Sequence, residues 1–476
     1  MDDPSQGCIP TPYRRRDPAN TPLYRVMQNH LETFIALCHN EWEEESIPPY
    51  AERALRRYLE CGILAYGFAR ARCAECGHDF LVAFSCKGRG ICPSCNSRHM
   101  VETAAHLVDH VFPPLPVRQW VLSLPKRLRY HLQRDPKVLN SVLRIFLDQI
   151  ERHLRANSAG AGEGARIGAV AFIHRFGASL NQPIHFHVCV IDGVFGSDEE
   201  NGVRFFQVAD LDSDDIEAIQ SQVRQRILLA FVRRGILDRD ERKEMARWDH
   251  GGGFSLDASV RISGNDRQGL ERLLRYCARP PFAADRLEEL DRHRLIYHLT
   301  KPNADGRTQL ILSPLELIAR IAALIPPPRL HSHRYYGVFA PNVPLRAAVT
   351  ALAPEAIEAV SPPATVEEDG SDETLQRSPA RYLWAMLLAR IYETIPLTCP
   401  NCGAEMRIIA FITDSSSVQQ ILGHIGEPST PPVIAPARGP PEWEFDEFVG
   451  QDQEAFIGDS LAQPEPEYEF DQRVDW

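Results

Sequence analysis

Two groups of residues in this chain have the types and spacing to do chemistry. In "PIHFHVCVIDGVF", residues 183–195, His185 and His187 stand one residue apart in an apolar, β-branched run. Strand side chains alternate faces, so the two imidazoles share one face while Phe186 and Val188 point the other way. Imidazoles so placed can hold one divalent metal; they can equally be two hydrogen-bonded core histidines. His174 lies on the preceding strand-like run, where a hairpin would bring it beside the pair as a third nitrogen ligand. Imidazole suits Mn²⁺ and Zn²⁺, and Mg²⁺ where phosphate oxygens complete the shell. Downstream, "ERLLRYCARPPF" places Tyr276 near the end of a helix, with Arg272, Arg275 and Arg279 close by and Pro280–Pro281 ending it. A phenol of ordinary pKa ~10 is a poor nucleophile. Arginines and a metal-bound phosphate would favour its phenolate. A helical tyrosine is more commonly a core residue, and Tyr297 and Tyr335–Tyr336 read as structural.

The second group is cysteines. Seven of the twelve fall in clusters: Cys73, Cys76, Cys86, Cys92 and Cys95, then Cys399 and Cys402. Each CxxC aims two thiolates at one point, and two of them complete a tetrahedral site for structural Zn²⁺. Cys73, Cys76, Cys92 and Cys95 are the expected ligands, and Cys86 is a fifth thiol able to replace one of them. With no open coordination position, such a site would serve to present Lys87, Arg89 and Arg98 to DNA phosphates. "CPNCG" at Cys399–Cys402 reads as a second, weaker knuckle completed by His424, or as an ordinary strand–turn pair. The start of the chain lacks a basic region followed by an apolar run, so clustered thiols read as metal sites rather than disulfides. The expected location is cytoplasmic. No apolar stretch reaches the ~20 residues of a membrane helix, so no membrane partner is expected.

These groups need elements to position them. A chain of 476 residues suggests about three domains on a ~150-residue prior. Residues 1–65 read as a helical segment, with helices in "LYRVMQNHLETFIALC" and "AERALRRYLECGI", and 66–112 as a zinc-binding domain followed by a helix. Residues 113–345 read as a catalytic domain. Its strands are "VRQWVLSLP", "GAVAFIHRFG" and "IHFHVCVIDGVF", with shorter ones at "RLIYHL" and "RTQLILS"; helices span 135–156, 212–235 and 266–278. An acidic linker covers 346–378, a helix and CxxC module 379–425, and a disordered acidic tail 426–476. The predicted fold class is α+β: a helical and zinc-ribbon-like N-terminal module, then an antiparallel sheet with packed helices. The net charge of −12 is concentrated at the end, where residues 441–476 carry 12 Asp/Glu against one Arg. Lys126 and Arg127 lie in a locally basic stretch of the near-neutral remainder, which is compatible with DNA binding.

His-hydrophobe-His followed by a helical tyrosine resembles the HUH endonucleases, which include relaxases, rolling-circle replication initiators and HUH transposases. The wider text resembles the rolling-circle insertion-sequence transposases of the IS91 type. The matching stretches are "TPLYRVMQNHLETF", "FSCKGRGICPSCNSRHM", "RQWVLSLPKRLRY", "HFHVCVIDGVF", "GFSLDASVRI", "LLRYCARPPF" and "LSPLELIARIAALIPPPR". Likeness is weaker at "CPNCGAEMRIIAFI". The resemblance implies an HUH fold and a metal-dependent enzyme that nicks and rejoins single-stranded DNA at transposon ends through a 5′-phosphotyrosine on Tyr276. It implies structural Zn²⁺, catalytic Mg²⁺ or Mn²⁺ on His185 and His187, with His174 a candidate third ligand, and DNA contacts from Arg275 and Arg279. Well-known members carry two tyrosines four apart on this helix; position 272 is Arg here, leaving Tyr276 alone. Either this tyrosine acts repeatedly, or a freed 3′-OH or a second protomer of a homodimer takes the other step. A plasmid relaxase or replication initiator, and a non-enzymatic zinc-ribbon DNA-binding regulator, are the competing readings.

Overall fold

The computed structural model describes residues 16–40, 47–197, 202–248, 250–303, 306–353, 399, 401–404 and 406–438. In chain order, helices α1 (Pro22–Asn40) and α2 (Pro49–Glu60) precede a ribbon of β1 (Phe68–Cys73) and β2 (Asp79–Ala83). Helix α3 (Pro93–His110) leads to β3 (Val117–Ser123), α4 (Lys126–Arg134) and α5 (Pro136–Ala156). Then come β4 (Gly168–His174), β5 (His185–Ile191) and the hairpin β6 (Gly193–Gly196)–β7 (Arg204–Gln207). Helices α6 (Ser213–Arg233) and α7 (Arg239–Arg247), short strands β8 (Ser255–Asp257) and β9 (Arg261–Ile262), and helix α8 (Arg267–Cys277) follow. Strands β10 (Leu287–Glu289), β11 (Leu295–His298) and β12 (Gln309–Leu312) lead to helix α9 (Pro314–Leu324). The last elements are β13 (His333–Gly337), α10 (Arg346–Thr350), β14 (Met406–Ile412) and α11 (Ser415–Ile425).

The described residues divide into two compact units: one holds 16–102, 279–330 and 399–438, the other 103–278 and 331–353. In the second unit an antiparallel sheet of order β13-β4-β5-β3-β8, with β9 also on β3, lies between two helical layers. Alternation sorts its side chains. Trp120, Leu122, Ala171, Phe186 and Val188 pack with Phe146 and Ile150 of α5 and Phe231 of α6. The opposite face sends Val170, Phe172, Cys189 and Ile191 against Leu107 of α3 and Leu270, Leu273 and Leu274 of α8. The run read as one strand through Phe195 is broken at Asp192. This buried carboxylate accepts two hydrogen bonds of 3.0 Å from Arg118 and one of 2.7 Å from Arg261. Such charge-assisted pairing is what permits the burial.

In the first unit, β14-β1-β2 form one antiparallel sheet and β10-β11-β12 another, and α9 packs on α1 and α2. Residues 279–330 pack in the compact unit that carries the two thiol clusters. Residues 399–425, assigned to a separate module, pair with β1 through β14 and cover Leu64 and Phe68 with Val418 and Leu422 of α11. The tail does not begin at residue 426. The segment through Arg438 lies on α1, with Ala435 N–H donating to the Gln28 carbonyl at 2.9 Å and Arg438 N–H to Thr33 Oγ1 at 3.0 Å. The expected linker after residue 353, the helix at 379–393 and the tail beyond 438 lie outside the described residues. No described helix is long and apolar enough to cross a membrane.

Candidate functional site

Strands β4 and β5 pair with His174 opposite His185 and Phe172 opposite His187. Residues directly opposite share a face, so all three imidazoles stand on the side covered by α8. Their ring centroids are 4.3 Å (174–187), 5.0 Å (174–185) and 5.1 Å (185–187) apart. His174 and His187 are buried and His185 is partly exposed. A metal–nitrogen bond of ~2.0–2.1 Å sets ligand nitrogens ~2.8–3.0 Å apart at right angles and ~3.3–3.4 Å apart at tetrahedral ones. His174 Nδ1 and His185 Nε2 are 3.2 Å apart. The donor set fits a divalent ion.

Neighbouring groups fix these rings. His174 Nε2 lies 2.7 Å from the carbonyl of Cys277, which can only accept. The proton therefore sits on Nε2, leaving the Nδ1 lone pair for the centre. His187 Nδ1 lies 2.8 Å from the carboxamide of Gln119. The amide atom nearest the ring is Gln119 Nε2, which donates to Nδ1. A metal on His187 Nε2 would put the proton on Nδ1, and the amide, turned by half a rotation, would then accept it through its oxygen. Phe176 stacks on His174 at 4.8 Å. Gln119 escaped the sequence reading, although a polar residue at an inward position of the apolar β3 was the available signal.

Helix α8 brings the tyrosine. It starts where Asp266 Oδ1 accepts the Gly269 N–H at 2.7 Å, buries Leu270, Leu273, Leu274 and Cys277 at helical spacing, and ends before Pro280–Pro281. This rotation leaves Tyr276 half-buried beside the imidazoles, its ring centroid 5.7 Å from that of His187. Tyr297 is stacked on Phe282 at 5.6 Å in the other unit, and burial pushes its phenol up.

The cysteines require a correction. Cys73 and Cys76 do not share a site with Cys92 and Cys95. Cys92 and Cys95 converge instead with Cys86 and with Cys61, at the end of α2, all four buried. Sulfur separations are 3.5 Å (61–92), 3.8 Å (61–95) and 3.5 Å (86–95), against ~3.8 Å for a tetrahedron of ~2.3 Å Zn–S bonds. The fifth thiol, Cys86, is a member rather than a spare. Cys61 was read only as part of a helix end and had no CxxC partner to flag it. Backbone N–H groups of Cys86 and Gly88 donate to Cys61 and Cys86 sulfurs, and Arg16 Nη1 stands 3.7 Å from Cys92 Sγ. Hydrogen bonds from Cys61, Cys86 and Cys95, aided by the Arg16 charge, hold the Cys92 thiol far below its usual range. The remaining pair, Cys73 and Cys76, converges with Cys399 and Cys402; His424 is not in that group.

The basic candidates fall in both units. Lys87 and Arg89 are exposed in the first unit, where Arg89 donates to the Leu330 carbonyl and Arg98 pairs with Glu102 at 2.6 Å. In the second unit Lys126 is exposed, Arg127 pairs with Glu241, and Arg275 pairs with Glu271 at 2.7 Å. Arg279 falls in the first unit, past the end of α8.

Two family models match the chain. Residues 26–124 match the "Transposase zinc-binding domain" of IS91 type, and residues 168–346 match the model described as "Putative transposase". The first match contains all of Cys61, Cys86, Cys92 and Cys95; the second contains the three histidines and Tyr276. No curated protein and no solved structure matches the chain.

Proposed function

Because the chain is a transposase, its IS91-type zinc-binding domain preceding its transposase domain, we propose that it nicks and rejoins single-stranded DNA with Tyr276 as nucleophile. The observation that carries this reading is the convergence of His174, His185 and His187 on the sheet face where Tyr276 sits. The Tyr276 oxygen attacks the scissile phosphorus in line and forms a 5′-phosphotyrosine as the 3′ oxygen departs. The phenol gives up its proton to solvent, and the 3′ oxygen takes one up to become a hydroxyl. One phosphodiester is exchanged for another, so a later attack by a 3′-OH on the phosphotyrosine rejoins strands without ATP. His174, His185 and His187 would hold a divalent ion, Mg²⁺ or Mn²⁺, which would supply Lewis-acid polarisation of the phosphate. Cys277 couples nucleophile and centre: its carbonyl orients His174, and its chain neighbour is Tyr276. Lys126, Arg275 and Arg279 are our candidates for the DNA backbone in the transposase domain, and Lys87, Arg89 and Arg98 in the zinc domain. The second strand transfer falls to Tyr276 acting again, to a freed 3′-OH, or to the Tyr276 of a second protomer. In the cell such an enzyme would act on cytoplasmic DNA.

The test is a labelled single-stranded oligonucleotide carrying a transposon end, incubated with protein and Mn²⁺ or Mg²⁺. Wild type should yield a nick and a denaturation-resistant adduct whose peptide contains Tyr276. An adduct that persists in Tyr276→Phe would overturn the assignment.

A further inference from the structure

We propose that Cys73, Cys76, Cys399 and Cys402 hold a second zinc ion, one that ties the two ends of the first unit together across the chain. Half of its ligands lie outside the matched zinc-binding domain, and the inference is independent of how the DNA is cut.

The two knuckles are built alike. In "CAECGH" the Cys73 N–H donates to the His78 carbonyl at 2.9 Å and the Gly77 N–H to the Cys73 carbonyl at 3.2 Å. In "CPNCGA" the Cys399 N–H donates to the Ala404 carbonyl at 2.7 Å and the Gly403 N–H to the Cys399 carbonyl at 2.9 Å. Gly77 and Gly403 occupy the same position after the second cysteine, both left-handed, at φ 71° and 74°. That conformation favours glycine and lets the turn close tightly enough to aim both sulfurs at one point. Two turns of identical sequence spacing, bonding and handedness therefore face each other.

Their sulfurs meet at metal-ligand spacing. Cys73 Sγ is 3.5 Å from Cys402 Sγ, and Cys76 Sγ is 3.4 Å from Cys399 Sγ. All four lie within 4.8 Å of one another. Those contacts are far longer than a disulfide of ~2.05 Å and close to the ~3.8 Å edge of a zinc–thiolate tetrahedron. The surroundings continue the match: Cys73 pairs with Met406 at the end of the β1–β14 ladder, and Asn401 Nδ2 bridges the turn tips, 3.3 Å from His78 Nδ1. Four thiols that lose their protons on binding, with no nitrogen or open position, suit a structural Zn²⁺. The site fixes β14 beside β1.

Zinc per chain, measured on the purified full-length protein, tests this. Cys73→Ser/Cys76→Ser should lose one zinc, Cys399→Ser/Cys402→Ser the same one, and the fourfold variant no more than one. A Cys399→Ser/Cys402→Ser protein with wild-type zinc content overturns the proposal. A measurement on wild type guards against variants that do not fold. Cys76 and Cys402 are exposed, so unliganded they would react with iodoacetamide as fast as a free model thiol. Metal-replete protein should show both protected at least tenfold, with protection of all four lost together on chelation. Labelling of Cys76 and Cys402 at the free-thiol rate before chelation overturns the proposal.

Discussion

The histidine centre and the second thiol cluster are assembled from opposite kinds of contact. The three histidines span 14 residues of one hairpin, and Tyr276 enters on a single helix laid across the same sheet face. The thiol cluster joins residues more than 320 positions apart. Hairpin pairing fixes the first geometry, and no later contact need be made for the imidazoles to converge. The second depends on closing a very long loop, whose entropy cost grows only slowly with length. The consequence is a division of labour. Locally built chemistry tolerates loss of the distant clasp, whereas the clasp concerns where the end of the chain lies.

The largest expected effect is at the proposed nucleophile. Tyr276→Phe removes one oxygen and leaves the ring against His187, so zinc content and thermal transition should stay near wild type. Nicking should fall by at least about 10⁴-fold, the scale on which nucleophile removal acts. Tyr297→Phe should nick normally. An adduct in the first variant and none in the second would move the nucleophile to β11 and break the contrast at its local end.

Next in size is Cys92→Ser. This thiol sits at 0 % exposure among three other sulfurs and the Arg16 guanidinium. A structural zinc contributes folding energy directly. The variant should lose one zinc and open the first unit to proteolysis around β1 and β2. Cys402→Ser, at an exposed corner, should lose one zinc with a smaller change confined to β14 and α11. Equal damage from both would mean that the two thiol clusters are one cooperative unit.

Gln119→Leu tests the histidine centre from behind. Removing the group that orients a ligand imidazole typically weakens metal affinity ~10–100-fold. The metal concentration for half-maximal nicking should rise by that factor, while the rate at saturating metal changes little. A fall in the saturated rate with unchanged metal dependence would show that Gln119 does not act through His187.

What the sequence disclosed follows the same contrast. Alternation in "IHFHVCVI" put His185 and His187 on one face without any tertiary information, and the spacing of α8 was legible from its leucines. The pairing of His174 with His185 needed the register of a ten-residue connection, so it could be offered only as a candidate. For the cysteines, CxxC shows that two thiols share an ion but says nothing of which other pair completes it. Nearness in sequence suggested joining Cys73 and Cys76 to Cys92 and Cys95, and the ladder between β1 and β14 overrode it. Strands β11 and β12 were visible as strands, yet alternation encodes a face and not a partner sheet. The proline-rich run ending at Arg438 was read as unstructured from composition. Extended backbone can still be held by a few main-chain bonds, as Val433 and Ala435 are on Gln28.

The smallest expected effect lies at the far end of α8. Asp266 accepts the Gly269 N–H, satisfying one of the helix's unpaired donors, and its charge faces the positive end of the helix dipole. Asp266→Ala should cost ~1 kcal/mol. In a unit of this size that is a fall of ~2–4 °C in the transition that reports the second unit. Asp266→Asn, which keeps the accepting oxygen, should recover most of it. Gly269→Ala supplies an independent route to the same loss, because a Cβ there would stand 2.1 Å from the Asp266 carboxylate and push the cap aside. The two changes act on one interaction, so the double variant should be little worse than either single one. Nicking at saturating metal should be unchanged in all of them, since Leu270, Leu273 and Leu274 still hold the helix on the sheet. A fall of about tenfold or more in that saturated rate would show that the helix start, ten residues from Tyr276, sets the position of the proposed nucleophile, and that the centre is less locally built than its hairpin suggests.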